Sequence, residues 1–159
     1  MPERLTPWRP LIQSASERHG LDPGLTAAVV LAESAAQPAA VRFEAHYRWL
    51  FKPESVKPDI CSIETEVMLQ KISFGLMQIM GAVARERGFQ GWLTELCRPE
   101  QGLEYGCRHL AWLLDRFSPI EAAVSAYNQG FPRRGPDGRY LNQPYVDKVM
   151  NLYHRIKTR

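Results

Sequence analysis

Residues 22–34 read DPGLTAAVVLAES, a stretch that is typical of a buried helix. Asp22-Pro23 is a helix start signal, because proline fits the first helical turn and a preceding aspartate can cap its free amides. Apolar side chains then recur at helical spacing and form one stripe: Leu25, Ala28, Val29 and Ala32. We therefore predict a core helix that ends at Glu33-Ser34.

Helix signals of the same kind recur along the chain. Capping residues, prolines and glycines mark the further helices: Thr6–Gly20, Ser62–Lys71 with Ile63 and Val67 inward, a helix ending at Gly88, one from Pro99, one from a capping box at Ser118–Glu121 to Gly130, and one from Pro144. No segment shows convincing alternation of polar and apolar residues, so no strand is predicted. The prediction is a mostly α, single-domain protein with a long loop, holding a short helix, over residues 38–58.

Length and composition restrict the class of protein. The chain has 159 residues, 45% of them hydrophobic and 23% charged, which favours one globular domain over residues 1–159. No apolar run has the length of a secretory signal or of a membrane span of roughly 18 residues, so we expect synthesis in the cytoplasm and no stable membrane insertion. The cysteines, Cys61, Cys97 and Cys107, lack zinc-site spacing; reduced thiols and no metal site are expected.

Glu33 is the first candidate for chemistry. It lies beside the apolar stripe at the C-terminal end of its helix, followed by small residues. The negative end of the helix dipole and partial burial both disfavour ionisation there, so the carboxyl group can keep a proton near neutral pH. A general acid needs that property. The alternative is a solvated glutamate at a fraying helix end.

Two further segments place polar side chains where a ligand could approach. GLMQIM at Gly75–Met80 sets the Gln78 amide among apolar residues behind a glycine. AYNQG at Ala126–Gly130 offers a tyrosine hydroxyl and an asparagine amide at a helix end. The alternatives are a buried turn in which the backbone satisfies Gln78, and a simple helix C-cap.

Together these segments resemble the soluble lytic transglycosylase domain of the goose-type lysozyme superfamily. The resemblance comprises Glu33-Ser34 at the end of an apolar helix, Gly75–Met80, Ala126–Gly130 and a Tyr-Val-x-Lys-Val opening of the last helix at Tyr145–Val149. It implies a lysozyme-like fold and cleavage of the β-1,4 bond between N-acetylmuramic acid and N-acetylglucosamine in peptidoglycan. It also implies that Glu33 is the catalytic acid and base and that no metal or cofactor is required.

The resemblance implies substrate-binding roles for a set of side chains along the groove: Ser34, Gln78, Met80, Tyr127, Asn128 and Tyr145. Within this set, Tyr127 would hold the Glu33 carboxyl group by a hydrogen bond. Asn128 would shape the groove, and Tyr145 would form a second wall. The expected product is a 1,6-anhydromuramoyl sugar, and the partner is the peptidoglycan glycan strand.

The 35–72 insertion between Glu33 and Gly75 is longer than in compact members of the family, and Val41–Trp49 resembles a segment of phage-type muramidases. Glu44 is a candidate second carboxylate for an inverting hydrolase, which would need one roughly 6.5–9.5 Å from the first. The alternative role for Glu44 is an ion pair with Arg42 or Arg48. Aromatic residues here can stack on sugar rings or cover the core: Tyr47, Trp49 and Phe51.

Other classes of function remain open alongside a wall-cleaving enzyme. A catalytically silent wall-binding module would keep the groove without turnover. A DNA-binding domain is disfavoured, because 20 basic against 17 acidic residues is a weak asymmetry and the basic segments lie in a loop and a tail. Without an export signal, a wall-degrading enzyme resembles a phage endolysin or virion protein, released through a holin-type lesion or carried in the particle. We expect a monomer.

Overall fold

The computed structural model describes residues 2–158, and its described part is mostly helical, as the sequence predicts. The α-helices, in chain order, are α1 Arg9–Arg18, α2 Pro23–Ser34, α3 Pro53–Val56, α4 Ile63–Gln70, α5 Gly81–Glu86, α6 Pro99–Arg116, α7 Ile120–Gln129 and α8 Gln143–Lys157. Two 3-10 helices cover Glu3–Trp8 and Leu93–Cys97. The strands are β1 Val41–Phe43, β2 Ile72–Phe74 and β3 Ile79–Met80.

The chain divides into two units. Among the described residues, the first unit comprises 2–32 with 107–158, and the second comprises 33–106. The first unit is helical throughout apart from its connecting loops. The second carries the sheet, the short helices α3 to α5 and the first turns of α6.

Helix α2 is buried more completely than one stripe predicts. Every residue of Gly24–Val30 is buried, whereas Ala32, the last residue of the predicted stripe, is half-buried. The buried Thr26 hydroxyl accepts a hydrogen bond from Ser16 Oγ at 2.8 Å, so the polar group costs little inside the core. The helix is therefore surrounded by protein over its middle turns and becomes partly exposed again from Leu31 to Ser34.

Asp22 opens α2 as the start signal predicts. Its Oδ1 accepts a hydrogen bond from Gly24 N at 2.7 Å, and its Oδ2 accepts one from the Tyr153 hydroxyl at 2.7 Å. Burial would raise the pKa of this carboxyl group, but the hydrogen bonds from Tyr153, Gly24 and Lys157 lower it further than burial raises it. The contact joins the start of α2 to the last turns of α8.

Two predicted helix starts are wrong in detail. Residues Glu3–Trp8 form a 3-10 helix with Pro7 inside it, and α1 begins at Arg9 rather than after Thr6. At α7 the N-cap is Pro119 and no side chain caps the helix, so the predicted capping box does not form. The ends marked by Ser62, which accepts from Thr65 N at 3.1 Å, and by Gly130, with φ +82°, are confirmed.

The second unit contains a three-stranded antiparallel sheet in the order β1-β2-β3, which the sequence analysis missed. Arg42 pairs with Ser73, and Ser73 pairs with Met80. The strands are too short for alternation to be visible, since each has only two or three residues. The predicted long loop therefore contains β1 in addition to the expected short helix, α3.

The buried face of α4 is polar, which also differs from the prediction. Glu66 and Gln70 are fully buried, whereas Ile63 and Val67 are half-buried. Arg85 on α5 forms a two-pronged ion pair with Glu66, Nε to Oε1 at 2.8 Å and Nη2 to Oε2 at 2.9 Å. A buried guanidinium group thus replaces the apolar partner that the helical pattern suggested.

Gly75, at the end of β2, has φ +73°, and a Cβ atom added there would overlap the carbonyl oxygen of Leu96. We expect Gly75→Ala to lower the free energy of unfolding by about 2–4 kcal/mol, because left-handed strain and overpacking add together. Urea denaturation measures the change. Gly20→Ala is the matched control: Gly20 has φ +65° and nothing within 4 Å, so only the strain of about 1 kcal/mol applies. Equal losses in the two variants would contradict the packing argument.

Candidate active site

The candidate acid stands at the point where α2 becomes accessible. Glu33 is half-buried in the last turn of α2, and Ser34 is the final helical residue. The next two residues, Ala35 and Ala36, have φ values of +51° and +67°. Alanine rarely adopts this left-handed conformation, so the surrounding structure holds the backbone in a strained turn directly after the glutamate.

Ser34 connects this helix end to the Gly75–Met80 segment. Its Oγ donates a hydrogen bond of 2.7 Å to the carbonyl oxygen of Leu76. Leu76 is buried. Two glycines of α6 allow close packing around this segment: a Cβ added at Gly102 would lie 2.6 Å from Leu96 O, and one added at Gly106 would lie 2.5 Å from Met77 Sδ. The structure therefore brings two of the predicted motifs, Glu33-Ser34 and Gly75–Met80, into direct contact.

Gln78 organises the turn between β2 and β3. It has φ +47°; its amide nitrogen donates to Ala40 O at 2.9 Å and to Gly75 O at 3.0 Å, and its Oε1 accepts from Ser73 Oγ at 3.0 Å. These contacts match the alternative in which the backbone satisfies the amide. Met80, also expected to line a sugar site, is half-buried in β3 and begins the turn into α5.

The third motif, Ala126–Gly130, ends α7 in the first unit. Tyr127 is half-buried, and its ring centroid lies 5.5 Å from that of His109. The exposed Asn128 accepts a 3.0 Å hydrogen bond from Asn142 Nδ2 through its Oδ1. The hydrogen bond from Tyr127 to Glu33 stays a prediction.

Asn142 holds the Ala126–Gly130 motif by hydrogen bonds, a role that the sequence analysis missed. Besides Asn128, its Nδ2 contacts the carbonyl oxygen of Ser125 at 3.1 Å, and its Oδ1 accepts from Ser125 Oγ at 2.7 Å. The side chain thus fixes the last turn of α7 from the N-terminus of α8. A polar residue just before a predicted helix was the available signal, but it pointed to a cap rather than to a neighbouring helix.

The last motif, Tyr145–Val149, lies on α8. Tyr145 is half-buried in the first turn of this helix. Lys148 donates from Nζ to the carbonyl oxygen of Ala32 at 2.7 Å. Because the last carbonyls of a helix have no partner inside it, this lysine satisfies one at the residue that precedes Glu33. The lysine of the motif therefore supports the end of α2.

Glu44, the candidate second carboxylate, is paired. Its Oε1 accepts from Arg42 Nε at 2.5 Å, and its backbone N donates to Lys71 O at 2.8 Å. The pair is solvent-accessible, so its contribution to stability is about 0–1 kcal/mol. The alternative role for Glu44, an ion pair with Arg42, is confirmed, and its role as a second carboxylate stays a prediction.

No group of three or more His, Cys, Asp or Glu side chains within residues 2–158 is arranged to hold a metal ion. Cys61, Cys97 and Cys107 form no disulfide bond, and Cys61 and Cys107 are buried. Over the same described range, no helix combines the length and the apolar character needed to cross a bilayer.

The chain is mostly helical, and Glu33 lies at a helix end that is followed by a strained turn. Ser34 bonds this helix end to the hairpin that begins at Gly75. This is the architecture of a lysozyme-like domain. The family model of the Transglycosylase SLT domain matches residues 10–143, so the chain belongs to this family. The chain is also similar to the membrane-bound lytic murein transglycosylase F of Desulfosudis oleivorans, with 32% identity over 135 residues. That match covers 80% of this chain but only 23% of the relative.

Proposed function

We propose that this chain is a peptidoglycan lytic transglycosylase that cleaves the β-1,4 bond between N-acetylmuramic acid and N-acetylglucosamine. The observation that carries the proposal is the contact between Ser34 and Leu76, which fixes the Glu33 end of α2 against the Gly75–Met80 segment. Membership of the Transglycosylase SLT family and the name of the similar murein transglycosylase support it. The family match takes in parts of both units, which supports one catalytic domain over residues 1–159.

The proposed mechanism uses one carboxyl group. Glu33, protonated, gives its proton to the glycosidic oxygen as the bond to the muramic acid carbon breaks. The acetamido carbonyl oxygen of the same sugar stabilises the cationic centre. The Glu33 carboxylate then takes the proton from the sugar's C6 hydroxyl, whose oxygen closes a 1,6-anhydro ring. The carboxyl group ends in its starting state, and no metal or cofactor takes part.

We propose two different roles for the remaining candidate site residues. The Ser34 and Gln78 side chains are engaged with the backbone of the same unit, so we propose that they act mainly by positioning the helix end and the hairpin. Sugar contacts are proposed for side chains of the family motifs that are half-buried or exposed: Met80, Tyr127, Asn128 and Tyr145. Tyr127 is proposed to hold the Glu33 carboxyl group.

Mass spectrometry of the products from purified sacculi tests the activity and the reaction type together. We expect soluble muropeptides that end in 1,6-anhydromuramic acid, each lighter by one water than the hydrolysis product. Reducing-end products would contradict the transglycosylase reaction and favour a hydrolase. Saturable binding with no soluble product would favour a silent wall-binding module.

A hydrolytic muramidase is the second candidate, because Glu44 lies in the same unit as Glu33 and its carboxylate reaches solvent. In that case Glu44→Gln would abolish activity on sacculi together with the reducing-end products. Under the transglycosylase mechanism the variant keeps wild-type turnover. Glu54→Gln, an exposed glutamate on α3 of the same insertion, is the control for a change in surface charge.

We further propose that the enzyme is a phage-type member, an endolysin or a virion-associated protein that reaches the wall through a holin-type lesion or with the particle and acts as a monomer. The resemblance of Val41–Trp49 to phage-type muramidases supports this origin. Co-expression with a holin in a Gram-negative host is the test. Lysis that needs both proteins is expected, and the absence of lysis would contradict the endolysin route.

A further inference from the structure

We propose that Trp49, with the adjacent Arg48 and Tyr47, forms an accessory platform that holds the glycan strand of polymeric peptidoglycan outside the Glu33 site. The inference rests on the proposed function for its ligand class, and it concerns the 40–51 segment of the insertion. Its basis is the combination of a fixed backbone, an exposed aromatic ring and an unpaired cation in one short segment.

Hydrogen bonds fix the backbone of the 40–51 segment at both ends. At its start, the carbonyl oxygen of Ala40 accepts hydrogen bonds from Gly75 N at 2.8 Å and from Gln78 Nε2 at 2.9 Å. At its end, Phe51 exchanges two hydrogen bonds with the buried Gln70 side chain, N to Oε1 at 2.7 Å and Nε2 to O at 3.0 Å. A ligand that binds this segment therefore has little backbone entropy to remove.

Trp49, the tryptophan of this segment, is exposed, with 71% of its surface accessible. Its ring packs edge-to-face with Tyr47, at 5.5 Å between centroids and 72° between planes. Burial, together with the nearby Glu86 carboxylate, raises the pKa of Tyr47, so the supporting ring stays neutral at physiological pH. The Trp49 ring is therefore exposed to solvent and is supported by the Tyr47 ring. Such a large apolar ring is suited to stack on the apolar face of a sugar.

The positive charge of Arg48 beside the Trp49 ring favours an anionic polymer as the ligand. Arg48 is exposed and makes no ion pair among the described residues, in contrast to Arg42, which is paired with Glu44. Lys52, also exposed, lies with Nζ 5.6 Å from the centre of the Phe51 ring. Sugar faces for the ring and carboxylates for the cations occur together in peptidoglycan, where muramic acid carries a lactyl group and peptide stems.

The 40–51 segment and the helix end that carries the candidate acid are both hydrogen-bonded to the hairpin at Gly75–Met80. Ser34, next to Glu33, bonds to Leu76, and the same hairpin bonds to Ala40 at the start of the 40–51 segment. A glycan strand bound by Trp49 is therefore bound to a segment that is joined to the same hairpin as the Glu33 end of α2. The platform is expected to increase the residence of long strands without taking part in bond cleavage.

The test measures binding of Trp49→Ala to purified sacculi by sedimentation, in a Glu33→Gln background that prevents turnover. We expect about tenfold weaker binding, with partial recovery in Trp49→Phe and an unchanged midpoint of thermal unfolding. Ile60→Ala is the matched control, because Ile60 is 87% exposed in the same unit but lies outside the 40–51 segment. With Glu33 intact, Trp49→Ala should slow the digestion of sacculi and leave unchanged the cleavage of a short peptidoglycan tetrasaccharide of alternating N-acetylglucosamine and N-acetylmuramic acid.

The outcomes separate this inference from the proposed function. Binding that depends on Trp49, without release of muropeptides by the unmutated chain, would support the platform and contradict the enzymatic proposal. Lysis and binding that are both unaffected by Trp49→Ala would overturn the platform alone. An equal loss in Ile60→Ala, or Trp49-dependent binding to duplex DNA or to anionic vesicles in place of sacculi, would also overturn it.

Discussion

Glu33→Gln is expected to abolish the release of soluble muropeptides, with activity at least about a hundredfold below wild type, while the protein stays folded. Glutamine keeps the size and polarity of the side chain but has no proton to give to the glycosidic oxygen and cannot accept one from the C6 hydroxyl. Turbidity loss of purified sacculi, with mass spectrometry of the supernatant, measures the effect. The free energy of unfolding should change by no more than about 1 kcal/mol.

Glu64→Gln is a suitable control, because Glu64 is an exposed glutamate on α4 and its replacement removes the same charge. It should retain wild-type activity. If Glu33→Gln keeps as much as a tenth of the wild-type rate, Glu33 is not the general acid. Loss of activity together with loss of cooperative unfolding would assign Glu33 to the fold instead.

The second large effect concerns stability. Arg85→Met is expected to lower the free energy of unfolding by about 3–5 kcal/mol, because it leaves the Glu66 carboxylate buried without its partner. Both side chains are fully buried, at 0% exposure, and the Arg85 guanidinium group also donates to Phe89 O at 3.0 Å and Gly91 O at 2.8 Å. Urea denaturation at neutral pH measures the loss.

Two comparison variants test whether the unpaired buried charge causes the loss of stability in Arg85→Met. Arg98→Met removes an exposed arginine that lies 3.5 Å from Glu95, and it should cost no more than about 1 kcal/mol. The double variant Glu66→Leu with Arg85→Met should recover part of the lost stability, because no unpaired charge then remains in the core. A double variant that is less stable than Arg85→Met alone would show that packing, rather than charge pairing, dominates at this position.

The ion pair of Glu66 and Arg85 also changes the pKa of the Glu66 carboxyl group. Burial would raise the pKa of Glu66, but the hydrogen bonds from Arg85 and Gln70 lower it by more. Because the folded-state pKa lies below the unfolded one, the contribution of this group to stability is present above about pH 4.3 and is lost as the pH falls further. The pair therefore holds α4 to α5 over the neutral range.

The sequence predicted those parts of the candidate site that depend on helix ends. Glu33-Ser34 at the end of α2, and Gly130 after α7, are recognisable because capping and termination depend on residues within one turn of each other. The motif at Gly75–Met80 was also recognised. Its contact with Ser34 was not, since a hydroxyl that bonds to a carbonyl 42 residues away leaves no local pattern.

Polar side chains inside the second unit were the main source of error. Ile63 and Val67 were predicted to face the core, yet the fully buried positions on α4 are Glu66 and Gln70. Helical periodicity assigns polar residues to the solvent side, and that rule fails when a partner from another element neutralises the charge. Arg85, 19 residues further along the chain, is that partner.

The sequence by itself determined the mostly helical class, the family, the position of Glu33 at a helix end and the signals that begin α2 and α4. These features follow from backbone capping and from apolar spacing within single elements. Only the tertiary structure decided the sheet, the engagement of Gln78 and the support of the α2 end by Lys148. The pairing of β1 with β2, the bond from Gln78 to Ala40 and the bond from Lys148 to Ala32 each join residues tens of positions apart in sequence. These hydrogen bonds form only after the intervening chain has folded.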